Sequence, residues 1–205
     1  LAIVTLVGDG MGQSKGMAAK FFSALAQARV NNVAIAQGSS ERSISTVIEN
    51  AKAKKAVKVI HQNFFTKKHT IDAFLVGCGT VGAELLRQIA QQQPALMARD
   101  IRLEVFGIAN SRKLLLNSKG VDLNADWKAE LQQAEEPFSV ARIHKFANDN
   151  SLVNPVIIDC TSNEVIADLY IEMMNSGCHV VTPNKKANTA SMAQYKALQR
   201  TMQQT

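Results

Sequence analysis

The stretch FLVGCGTVG, residues 74–82, constrains the fold more than any other part of the chain. An apolar run stops at Gly77, and glycines follow again at positions 79 and 82. That spacing is common by chance, so its meaning depends on context. A dinucleotide loop needs a buried strand before it, a helix directly after it, and a second strand roughly thirty residues on. The surrounding sequence predicts all of these. Residues 71–76 read as a strand, 80–92 as a helix that fades before Pro94, and 101–109 as the next strand.

Beyond that point strands and helices keep alternating, which predicts a parallel sheet. Residues 127–135 read as helical. The uninterrupted apolar run PVIIDC has the character of a strand buried on both faces. Thr161 and Glu164 have the spacing of a capping box, and a helix is expected from there to about Asn175, ended by Gly177. CHVVT supplies one more strand, and Ser191 with Gln194 opens a final helix.

In this setting each glycine has a physical task. Gly77 permits a tight turn, Gly79 lets the backbone approach a pyrophosphate, and Gly82 lets helix and strand pack closely. The helix N-terminus adds free N–H groups and a partial positive charge. Cys78, Thr80 and Val81 fill the variable positions, where backbone amides would meet the ligand. The second strand runs into GIANSRK with no carboxylate after Glu104, the group an NAD-specific site usually places there. Asn110 is neutral, while Arg112 and Lys113 either meet a 2′-phosphate or are plain loop cations. The expectation is NADP preference, or use of both NADP and NAD.

Ligands in such sheets sit beyond the carboxyl ends of the strands. DCTSN ends one strand, so Thr161 and Ser162 are candidates to cap the helix, to touch the nicotinamide ribose, or both. VVTPNKKAN ends another, and Lys185 is placed to reach a substrate or the nicotinamide carboxamide. The bland reading of any loop lysine is that it is solvated.

Residues 1–65 are organised differently, as a small β-α-β-β-α unit. LAIVTLVG is a strand, and Ala18, Phe21, Phe22, Leu25 and Ala28 recur with helical period. NNVAIAQ and RSISTVIE are strands separated by the turn GSSE. Ala53, Ala56, Val57, Ile60 and Phe64 then line one face of a second helix. The turn GDGMGQSKG lacks the Gly-Lys-Ser/Thr ending of a phosphate loop, because Lys15 precedes Gly16, and Gln13 stands where a third dinucleotide glycine would be. It reads as a flexible turn before a helix. TKKHT, residues 66–70, is expected to be a linker.

Composition narrows the function classes. The net charge is +6, but only 5% of residues are aromatic and none interleave with the basic ones, which argues against nucleic acid. No apolar stretch approaches the roughly 18–20 residues of a membrane helix. The three cysteines form no C-x-x-C pair and lie in or beside apolar runs, which favours a reducing cytoplasm. No metal site is expected. A chain that opens at Leu1 inside a strand-like run is expected to be a piece of a longer one, so a missing leader carries no information.

Taken together, FLVGCGTVG, GIANSRKLL, PVIIDCTSN and HVVTPNKKAN resemble the nucleotide-binding domain of homoserine dehydrogenases, over about residues 70–205. VGDGM, AKFFSALA and IAQGSSERSIS resemble the last ACT regulatory domain of aspartokinases. The combination is similar to the bifunctional aspartokinase–homoserine dehydrogenase family, in its threonine-sensitive bacterial form. The resemblance implies a ferredoxin-like ACT domain (1–65), a linker (66–70) and a Rossmann-like α/β domain (71–205). It also implies reversible reduction of aspartate 4-semialdehyde to homoserine with NADP or NAD. Gly77, Cys78, Gly79, Thr80, Val81, Gly82, Asn110, Arg112, Thr161, Ser162 and Lys185 would hold the cofactor, with Lys185 also at the substrate junction as the catalytic candidate. Gln37 would bind an amino-acid effector, expected to be threonine, with Asp9 and Gly10 as weaker candidates. ACT units bind effectors at interfaces, which implies a homo-oligomer. The family's substrate domain would lie past Thr205, so this chain is expected to bind cofactor with negligible turnover. The alternative is a non-catalytic regulator that senses a dinucleotide.

Overall fold

A computed structural model of the chain describes residues 1–11, 14–38, 42–65 and 69–204. The chain divides into two compact units, residues 1–68 and 69–205. Gly12 and Gln13 of the first glycine-rich turn, Ser39–Glu41 of the GSSE turn, and residues 66–68 of the expected linker lie outside the described residues.

The first unit runs β1 (Ala2–Val7), α1 (Met17–Gln27), β2 (Ala34–Gln37), β3 (Ser43–Ile48), a 3-10 turn and α2 (Ala53–Phe65). Its sheet is antiparallel in the order β1-β3-β2. Strict alternation along β3 buries Ile44, Thr46 and Ile48, while Ser43, Ser45 and Val47 are only half-buried. On β1, Val4 and Leu6 are buried and Ile3 and Val7 stay exposed. The helices therefore cover one face of the sheet. Phe21, Ala24 and Leu25 of α1 and Ala56, Val59 and Ile60 of α2 fill that core. Val57, expected on the buried stripe of α2, is 53% exposed, and Val59 is fully buried. Both positions suit a helical period; the buried stripe is rotated toward Val59 because the core lies on that side of Ala56.

The second unit runs β4 (His69–Val76), α3 (Thr80–Ala98), β5 (Ile101–Ala109), β6 (Leu114–Leu116), α4 (Trp127–Gln133), α5 (Val140–Asp149), β7 (Pro155–Asp159), α6 (Glu164–Asp168), α7 (Tyr170–Asn175), β8 (His179–Val181), a 3-10 turn and α8 (Met192–Gln204). The sheet order is β6-β5-β4-β7-β8, parallel except for β6. His69 and Thr70, assigned to the linker from sequence, belong to β4 and pair with Ile101 and Arg102.

Both faces of this sheet are covered. Phe74, Val76, Phe106, Ala109 and Ile157 meet α5, α7 and α8 on one side. Ala73, Leu75, Val105 and Ile108 meet α3 and α4 on the other. The bulge that shifts the register at Ala73/Phe74 explains how Val105 and Ile108 come to share a face despite their odd spacing.

Several expectations need correction. Helix α3 does not fade at Gln92 but continues through Pro94 to Ala98. Proline forfeits one backbone bond, and Ala95-Leu-Met-Ala98 behind it are strong helix formers. Asp100, at φ 58°, completes the turn. The helix after β7 is capped by Asn163, whose Oδ1 accepts from Val165 N, rather than by Thr161. It also breaks at Leu169 into α6 and α7. The sequence reading omitted β6 and α5. Three leucines do not distinguish strand from helix, but α5 carried a legible signal, the Ser139 cap with Val140, Ile143 and Ala147 on one face. The expected Ser191–Gln194 box is present, with Gln194 N donating to Ser191 Oγ at 3.3 Å and Ser191 N to Gln194 Oε1 at 3.3 Å.

Candidate functional site

The chain leaves β4 toward β5 on one side and returns to β7 on the other, which opens a crevice beyond the carboxyl end of β4. The glycine loop lies there. Gly77 has φ 92°, and a side chain on it would meet Thr161 Cγ2 at 2.6 Å. At Gly82, in the first turn of α3, an added Cβ would lie 2.0 Å from Gly77 O. Around Gly79 nothing approaches within 4 Å. Two glycines are thus demanded by packing, and the third faces open space. The first turn of α3 carries no acidic residue, and its leading N–H groups lack intrahelical partners. This arrangement fits a phosphate-bearing ligand.

A cleft of about 600 Å³ continues from this loop. It brings Gly79, Thr80 and Val81 together with Thr161, Ser162 and Lys185. Thr80, Val81, Ser162 and Lys185 are exposed, and Thr161 is half-buried. Cys78 packs against the apolar cluster under α3, and burial pushes its thiol up from the ordinary range. Cys160 lines the cleft, with its thiol likewise raised, first by burial and then by the Asp159 charge.

At the end of β5, Asn110 organises a tight turn. Its Oδ1 accepts from Arg112 N and Lys113 N, both at 2.8 Å. Arg112 is exposed. Lys113, the other basic candidate, directs one of its ammonium's three donors to Gln132 O near the end of α4. In the first unit, β1 and β2 both end beside the start of β3, which gathers Asp9, Gly10 and Gln37 at one end of the sheet. All three are exposed; Asp9 lies 4.0 Å from Arg42, an ion pair worth little at such exposure.

The sequence reading missed the polar cluster behind the cleft. Asp159, the last residue of β7, is fully buried. Its carboxylate accepts from Thr161 N at 2.7 Å, from Asn184 Nδ2 at 3.3 Å and from the Tyr170 hydroxyl. Burial and the bond to Asp159 push the Tyr170 hydroxyl well above its ordinary range. The signal was present in sequence, since Asp159 closes an otherwise apolar strand.

A parallel, doubly covered sheet with a glycine loop at its switch point defines a dinucleotide-binding unit of the dehydrogenase type. Residues 77–205 match the homoserine dehydrogenase NAD-binding domain family, and residues 4–64 match the ACT domain family. The chain belongs to the homoserine dehydrogenase NAD-binding family and carries an ACT domain. It is 49% identical over 203 residues to a bifunctional aspartokinase/homoserine dehydrogenase of Haemophilus influenzae, covering 99% of this chain and 25% of that protein. The corresponding protein of Buchnera aphidicola is 37% identical over 205 residues, covering all of this chain and 25% of its own. The chain therefore spans about a quarter of the length of these curated relatives. A crystal structure of a Candida auris protein of unknown function shares the fold, with a TM-score of 0.54 at 21% identity, over 64% of this chain and 35% of that one. Among the described residues no helix is long and apolar enough to cross a membrane, and no group of side chains is arranged to hold a metal.

Proposed function

We propose that this chain forms the cofactor-binding and effector-binding parts of a cytoplasmic, homo-oligomeric aspartokinase–homoserine dehydrogenase. The reaction is the reversible reduction of aspartate 4-semialdehyde to homoserine, with NADP preferred over NAD and threonine as effector of the ACT unit. One observation carries the reading: a single cleft joins the glycine loop to Thr161, Ser162 and Lys185.

The geometry supports the following roles. The loop amides and the α3 N-terminus hold the pyrophosphate, with Gly79 leaving room for its approach. Cys78, Thr80 and Val81 offer backbone to it. Arg112, at the turn built by Asn110, meets the 2′-phosphate, and no carboxylate in that turn repels it. Thr161 and Ser162 hold the nicotinamide half. Bound there, a reduced nicotinamide supplies the hydride. Lys185 brings a positive charge to the oxygen that becomes an alkoxide, which stabilises the developing charge. Gln37, with Asp9 and Gly10, receives the effector.

A titration with NADPH and then NADH tests this. NADPH is expected to bind more tightly, and Gly79→Asp to weaken it about 100-fold or more by setting a carboxylate against phosphate. Its melting temperature should stay unchanged, because the new side chain meets open space. Failure of the unsubstituted chain to bind either cofactor would overturn the reading.

A further inference from the structure

Beside the glycine loop, the cleft is lined by two further chain segments, the loop after β7 and the loop after β8, and both carry exposed functional candidates. What holds them in one geometry is Asn184. It is 8% exposed although both its neighbours, Pro183 and Lys185, are exposed. Its Nδ2 donates to Asn163 O at 3.0 Å, in the segment after β7, and to Oδ2 of Asp159, the last residue of β7, at 3.3 Å. Its Oδ1 accepts from Lys186 N at 3.1 Å, and its own N–H donates to Thr182 Oγ1 at 2.8 Å. Thr182 Oγ1 in turn donates to Asp159 O at 3.0 Å.

Lys185 is the residue enclosed by this arrangement. The Asn184 Oδ1 to Lys186 N bond closes a turn around it, and its backbone is held at φ −85° and ψ −7°. Asp159, on the other side, also orders Thr161 through the Thr161 N–H. One buried carboxylate and one buried carboxamide therefore set the Thr161–Ser162 segment and Lys185 against each other. No buried side-chain polar atom among the described residues is left without a partner, so the cluster is internally satisfied and has a defined geometry.

We infer that Asn184, anchored on Asp159, is the positioning residue that holds Lys185 toward the nicotinamide half of the cofactor. This rests on the dinucleotide reading above. In a sheet of this topology the two halves of the cofactor lie on opposite sides of the switch point. The glycine loop and the β5 turn serve the adenosine half, and the β7 and β8 ends serve the nicotinamide half. Among the described residues, Asn184's hydrogen bonds all go to the second group of segments, so its loss should affect one half of the ligand.

The test compares two probes on the 205-residue chain: NADPH, and 2′,5′-ADP, which carries the adenosine half alone. Asn184→Ala is expected to weaken NADPH about tenfold or more while 2′,5′-ADP changes less than about twofold. Thr182→Val deletes the hydroxyl beneath Asn184 and should show the same pattern at smaller amplitude, which covers the case that Asn184→Ala unfolds. Trypsin supplies a readout without ligand, with cleavage after Lys185 or Lys186 accelerating in both variants. Equal weakening of both probes, or unchanged NADPH affinity with unchanged cleavage, overturns the assignment. A parent chain that binds neither probe overturns the dinucleotide reading and this assignment with it.

Discussion

The two units are both built from α and β elements, yet they handle polar groups in opposite ways. The first has an antiparallel sheet covered on one face, and its candidate ligand groups, Asp9, Gly10 and Gln37, stand exposed where strands end. The second has a parallel sheet covered on both faces, and its site is backed by the fully buried Asp159. A half-covered sheet leaves water to satisfy strand-end groups. A doubly covered one gathers them at the carboxyl ends of its strands, where they must satisfy each other. Single substitutions should therefore cost more, and spread further, in the second unit.

The largest effect is expected at Gly82. Replacing it with alanine drives a methyl group to 2.0 Å from Gly77 O, so either α3 or the loop must move. Calorimetry should show the second unit losing about 3 kcal/mol or more, and cofactor binding should vanish with it. A fully stable Gly82→Ala chain would show that the loop tolerates movement and that packing does not demand this glycine.

The first unit provides the next contrast. Val59→Ala removes two methyls from a closed core and should cost about 2 kcal/mol in denaturant unfolding. Val57→Ala, half-exposed on the same helix, should change stability by less than about 0.5 kcal/mol. Equal costs would place the buried stripe of α2 where the sequence alone suggested it.

Alkaline pH probes the buried network. The folded Tyr170 hydroxyl is raised above its ordinary value of 10.0, while an unfolded tyrosine ionises near that value. Below about pH 10 both states keep the proton and the benefit is complete. Above it only the unfolded chain releases the proton, so stability falls as pH rises, by up to about 1.4 kcal/mol per unit. Tyr170→Phe should flatten that part of the profile; an identical slope in the variant would remove Tyr170 from the account.

The smallest effect belongs to Gln37. Gln37→Ala should leave stability within about 0.5 kcal/mol, because the side chain is exposed. Threonine affinity should fall about tenfold, the scale of one lost hydrogen bond. Unchanged affinity would move the effector site away from this strand end.

Most of the strands and the glycine loop were legible because their signals are local. Alternation along 43–48 states which side is buried, and the run from 71 to 76 followed by Gly77 states where a strand must turn. Ser139 and the stripe behind it were equally local, and α5 went unread only because the surrounding segment is weakly patterned. Pro94 shows the limit of a local rule: its intrinsic cost is outweighed by the helix formers that follow it. Lys113 shows another, since a basic residue beside Arg112 gives no hint that the Gln132 carbonyl waits for it 19 residues later.

Chain order, periodicity and glycine placement were thus enough to predict the parallel sheet of the second unit and the place of its glycine loop. These depend on the backbone preferences and patterning of neighbouring residues. Why Asn184 and Asp159 lie against one another depends on a contact between residues 25 positions apart in the chain. Such a contact carries no sequence periodicity, because it exists only once β7 and β8 pair and bring their ends together.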